Sequence, residues 1–122
     1  MVVTQYIAGL PEKQKQIMTI LRSLILDVSR DVKESMHEEW QEPVFYLHGA
    51  LCYLSIDDSG VAINFYHGKH LTKKFELLEL HDRKQIASYT FYGVTALQEH
   101  EEEVRQWLTT AATIVRKKDN HA

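Results

Sequence analysis

Two apolar stripes at helical spacing bracket this chain, and they leave few folds open to the segment between them. Ile17, Ile20, Leu21, Leu24, Ile25 and Val28 recur at intervals of three and four, which puts them on one face of a helix predicted over residues 11–30. Pro11 suits its first turn, where a missing N–H costs nothing, and Glu12 favours the positive end of the helix dipole. Leu97, Val104, Leu108, Ala111 and Val115, with Trp107 alongside, mark a second helix over 95–117. Thr95 and Gln98 have the spacing of a capping box at its start, and Lys117 and Lys118 sit at its negative end. Each stripe has to be buried, so the intervening residues must supply an apolar surface.

They do so as strands. Residues 32–40 read as an edge strand, with Val32, Met36 and Trp40 alternating with polar positions and Pro43 following soon after. Residues 44–48 and 51–56 are short, aromatic-rich runs joined by His48-Gly49-Ala50, where glycine is expected to supply the turn. In Asp57-Asp58-Ser59-Gly60 the glycine is expected to take positive φ. Val61, Ile63 and Phe65 then alternate with Ala62, Asn64 and Tyr66, completing an antiparallel meander. A short helix is predicted over 68–79 from Leu71, Phe75 and Leu78, and a last strand over 85–92. The expected fold is α+β: one domain over 1–122, an antiparallel sheet of about five strands, and two long helices packed on one face.

Composition narrows the function classes. A net charge of -3 and a pI near 6.1 argue against a nucleic-acid backbone binder. The single cysteine, Cys52, cannot form a disulfide within the chain, and its apolar neighbours point to an inert core thiol. Residues 1–10 show no basic start followed by an apolar core, and no run approaches the roughly 20 apolar residues of a membrane span. A cytoplasmic protein, monomeric or weakly dimeric, with neither membrane nor nucleic-acid partner, is expected. No nucleophile elbow or comparable motif names a reaction, so a non-enzymatic role is expected.

Trp40-Gln41-Glu42-Pro43-Val44-Phe45, Leu51-Cys52-Tyr53-Leu54, and Phe65-Tyr66-His67-Gly68 followed by Leu71 occur in order. Together with Tyr6-Ile7-Ala8-Gly9-Leu10-Pro11 and the closing helix, they make nearly the whole chain resemble the YdhG-like family of small bacterial domains. The resemblance implies a frataxin-like arrangement of two helices on an antiparallel sheet. It also implies a non-catalytic role in intracellular iron binding and delivery, with weakly held Fe²⁺ as cargo and iron–sulfur assembly proteins as partners. One departure is that Leu80 follows Leu77-Leu78-Glu79, where the family leads one to expect glycine.

An iron carrier of that kind needs exposed oxygen ligands that release the ion as readily as they take it. Glu34, Glu38, Glu39 and Glu42 surround His37 and are the stretch expected to play that part, the alternative being solvated surface charge. Glu99, Glu101, Glu102 and Glu103 around His100 form a second acidic group. His67 and His70 make an HxxH pair whose imidazoles would suit Cu²⁺ or Zn²⁺ better than Fe²⁺. A different class of function comes from the aromatics. Trp40, Phe45, Tyr46, Phe65 and Tyr66, with Asn64 and His67 as polar groups, are the makings of a small-molecule or peptide pocket, the alternative being core packing.

Overall fold

The computed structural model describes residues 1–120. The first stripe forms helix α2, Glu12–Leu26, with Ile17, Met18, Leu21, Leu24 and Ile25 buried along one face. Ahead of it lies a helix that the pattern did not disclose, α1, Val3–Ala8. Six residues are too few to establish a helical period, and only Val3 and Ile7 of α1 are buried. Strands β1 (Lys33–Met36), β2 (Pro43–Tyr46), β3 (Ala50–Asp57) and β4 (Gly60–Phe65) follow in succession. After helix α3, Gly68–Thr72, come strand β5, Ala87–Phe91, and helices α4, Val94–Glu99, and α5, Glu101–Asn120. Each strand pairs antiparallel with its neighbour in sequence, giving a five-stranded sheet in the order β1-β2-β3-β4-β5.

Strand alternation sorts the side chains into two faces. Glu34, Phe45, Cys52, Phe65 and Ala87 are cross-strand partners in one row, with Leu54, Ile63 and Tyr89 in the next row on the same face. Trp107 of α5 meets Phe65 edge-on at 6.4 Å and Tyr89 at 5.8 Å, while Arg22 of α2 pairs with Glu34. Both long helices therefore cover this one face, as the two matching stripes require. The core between them holds Leu21, Leu51, Leu54, Ile63, Trp107 and Leu108 with no solvent exposure to speak of. Cys52 lies there too, and burial pushes its thiol far above the ordinary value. The Trp107 indole N–H has no acceptor among the described residues.

Several local expectations need correcting. The closing helix is broken at His100, and its first segment is capped by Gly93 without any side-chain hydrogen bond, so Thr95 and Gln98 form no capping box. Helix α3 ends at Thr72 instead of running towards residue 79. The reason is that Glu79 and Ser88 exchange backbone hydrogen bonds at 3.2 and 2.9 Å, which requires an extended chain at Glu79. Neither hairpin turn relies on a glycine at positive φ. His48 (φ 64°) and Asp58 (φ 54°) take that conformation, Asp being among the residues that tolerate it best. Gly60 serves a different need, since a Cβ there would lie 2.6 Å from the Phe91 carbonyl oxygen. Where the family resemblance leads one to expect a glycine, the turn is made by His81 and Asp82, both at positive φ. Among the described residues no helix is long and apolar enough to cross a membrane.

Candidate functional site: the helix-free face of the sheet

The opposite face carries the row Ser35, Val44, Tyr53, Asn64 and Ser88, flanked by Ser55, Ala62 and Thr90. Neither long helix lies on it. Two loops border it instead. The β1–β2 loop is folded around His37, whose Nδ1 accepts a hydrogen bond from the Trp40 backbone N–H at 3.2 Å. The His37 ring stacks on the Trp40 indole with centroids 4.2 Å apart and planes 14° apart. Trp40 is 54% exposed and packs against Tyr53 at 6.3 Å, which in turn meets Tyr66 at 5.4 Å. These three rings form a platform over one half of the face.

The other border is the loop after Glu79, which brings Arg83 over the sheet. Its Nε donates to the Leu80 carbonyl oxygen at 3.0 Å, and Nη2 donates to the Ser88 hydroxyl. Ser88 donates to Asn64 Oδ1, and Asn64 Nδ2 donates to the Tyr53 carbonyl and the Ser55 hydroxyl at 3.2 and 3.0 Å. Asn64 and Ser88 are only 4% and 5% exposed, so this chain of hydrogen bonds satisfies buried polar groups on two neighbouring strands. Beside it lies a shallow depression of about 350 Å³ lined by Ser55, Asp57, His81, Arg83, Ser88 and Thr90. Asp57 accepts a hydrogen bond from the Thr90 hydroxyl at 2.8 Å.

The electrostatics follow from partial burial. Burial pushes the Tyr53 phenol above its ordinary value, with the Arg83 guanidinium acting against the rise. Tyr66 is pushed up to about 12, first by burial and then by the neighbouring phenols of Tyr46 and Tyr53. Burial also raises the Glu42 carboxyl, which the nearby His37 partly offsets. A carboxyl raised in the folded state holds its proton more tightly than in the unfolded chain. Stability therefore falls as pH rises from the ordinary carboxylate range through the raised value. Glu42→Gln is expected to stabilise the fold at about pH 7, by well under 1 kcal/mol because the group is partly solvated, roughly. The gain should vanish below the ordinary carboxylate range. Thermal melts of both proteins at about pH 7 and about pH 3 check this, and an equal gain at both would refute it.

The candidate residues divide between the two faces. Trp40, Tyr46, Asn64 and Tyr66 lie on the helix-free face, whereas Phe45 and Phe65 are fully buried beneath the helices and belong to the core. His67 stands at the N-terminus of α3, where burial and then the charge of Lys118 lower its pKa. The expected pocket thus splits. Tyr53, Ser55, Arg83 and Ser88 belong to the site and escaped notice, although the alternation in residues 51–56 already sets Tyr53 and Ser55 apart from Cys52 and Leu54.

The carboxylates divide as well. Glu34 is not uncompensated, because Arg22 grips it through both Nε and Nη2. Glu38 and Glu39 are exposed, while Glu42 is half-buried towards the tyrosines. His70 is exposed on α3, and its backbone N–H donates to the His67 carbonyl at 3.2 Å. In the second acidic group, His100 pairs with Glu103 at 2.7 Å and Arg105 with Glu101 at 3.5 Å. Among the described residues no three His, Cys, Asp or Glu side chains converge as metal ligands. Neither a family model, nor a curated protein, nor a solved structure matches this chain.

Proposed function

We propose that this protein is a non-catalytic binding module that holds a small molecule or a short peptide on the helix-free face of its sheet. One observation carries the reading: the ring platform of Trp40, Tyr53 and Tyr66 abuts a polar network, Arg83–Ser88–Asn64, that is already satisfied and rigid. Aromatic surface beside a few fixed polar groups is how proteins commonly orient small ligands. Titrating ¹⁵N-labelled protein with a panel of small aromatic compounds and short peptides is the test. Shifts are expected at Trp40, Tyr53, Asn64, Tyr66 and Ser88. Shifts confined to α2 and α5, or none with any compound, would reject the reading.

Iron delivery, the role implied by the resemblance to YdhG-like domains, is supported here by the exposed pair Glu38 and Glu39 beside His37. It receives no support from Glu34, whose carboxylate is committed to Arg22. Anaerobic calorimetry with Fe²⁺ separates the readings: heat abolished by Glu38→Gln/Glu39→Gln would favour iron, and no heat from wild type would remove it for this domain.

A further inference from the structure

Arg83 is an arginine held in place by neutral partners. Its hydrogen-bond partners are the Leu80 carbonyl and the Ser88 hydroxyl. Among the described residues it forms no ion pair, in contrast to Arg22 with Glu34 and Arg105 with Asp27 and Glu101. A guanidinium carries five N–H donors in a planar fork, and the two bonds to Leu80 and Ser88 leave part of that fork unused. The half-buried position means that the side chain is aimed before any ligand arrives, so less conformational entropy is lost on binding.

We infer that the helix-free face takes a small aromatic monocarboxylate, with its carboxylate on Arg83 and the Ser55 hydroxyl, whose proton the Asn64 bond leaves free, and its ring on the Tyr53–Trp40 platform. This assignment rests on the proposed binding role of that face and specifies the chemistry of the ligand. Arg83 lines the depression, and its partner Ser88 stands in one cross-strand row with Asn64 and Tyr53, which joins the depression to the ring platform. A guanidinium and a carboxylate match in shape and charge and form paired, charge-assisted hydrogen bonds. Among the described residues Arg83 is the one arginine or lysine lining the depression, which suits a monoanion. A phosphate dianion would face Asp57 at the rim of the depression and Glu42 near the rings, with only one guanidinium to balance it. A neutral arene would gain the stacking and forgo the ion pair.

The matched probes are phenylacetate and phenylacetamide, which share a ring and a shape and differ in charge. In ¹⁵N-detected titrations at about 50 mM salt, phenylacetate should bind about tenfold more tightly than the amide, the worth of one charge-assisted contact. Its shifts should include the Arg83 Nε–H and the Trp40 indole N–H. Arg83→Gln should abolish the preference, so that acid and amide bind equally. Arg83→Lys, which keeps the charge without the fork, should fall between wild type and Arg83→Gln. Should Arg83→Gln fail to fold, the preference of wild type for the acid and its loss at about 0.5 M salt decide the matter alone. Equal binding of acid and amide at this face would overturn the carboxylate assignment while leaving the face as a binding site. Absence of shifts on this face with either probe and with the wider panel would overturn both.

Discussion

Truncating Leu108 to alanine is expected to cost about 2–5 kcal/mol, and Leu21→Ala a similar amount. Both side chains have no exposure, and they lie on the two helices that close one face of the sheet. Removing either leaves a cavity that two rigid elements cannot collapse to fill. The protein carries its own reporter. Cys52 is fully buried on that same face, and its raised thiol pKa makes it unreactive until the structure opens. Where opening is in equilibrium, the loss of stability should speed labelling of Cys52 by a thiol reagent about 30-fold to several thousandfold. Unaltered labelling in both variants would show that the two helices do not hold this face closed.

The second large effect is expected at Gly68, the first residue of α3. A Cβ there would lie 2.2 Å from the Ala87 amide nitrogen and 2.4 Å from the Ala87 Cβ, so the obstruction is largely backbone. The Ala87 backbone is tied to β4 through its pairing with Phe65 and cannot readily step aside, so Gly68→Ala should destabilise by about 3 kcal/mol or displace α3 from β5. Gly93→Ala is the control. It has nothing within 4 Å of its Cβ position and an extended φ of -167°, and should stay within about 1 kcal/mol of wild type. Chemical denaturation of the two variants checks the contrast, and equal stabilities would refute it.

Much of this architecture could be read from spacing alone. Ile17, Leu21, Leu24 and Ile25 on one helix and Val104, Leu108, Ala111 and Val115 on the other are long patterns, and each turn repeats the evidence for the face. The strands were legible because β-branched and aromatic residues alternate between punctuated turns. What escaped had short range or depended on partners distant in sequence. Six residues of α1 make under two turns. The break at His100 leaves the apolar spacing on either side undisturbed. The end of α3 is decided by Ser88, which pairs with Glu79 from the next strand. The site was half legible for a related reason. A run such as Phe65-Tyr66 announces aromatic surface, but its two rings point to opposite sides of the sheet, and only Tyr66 meets the solvent side with Tyr53. Arg83 lies in a segment with no period, and nothing in its neighbours foretells that it reaches over the sheet to Ser88.

The strictly sequential strand order has a consequence for how the chain is made. Each strand pairs with the one translated just before it, so the sheet can assemble from its N-terminal edge while synthesis proceeds. Helix α5 comes last, and until it emerges the surface bearing Phe65, Tyr89 and Phe91 has only the helices already made to shield it. The nascent chain thus passes through a stage with a paired sheet and a half-bare apolar side, the kind of surface that chaperones engage and that aggregates at high concentration. A ribosome stalled with β5 outside the tunnel and α5 still within it should present that stage for capture, and one stalled after α5 has cleared the tunnel should not.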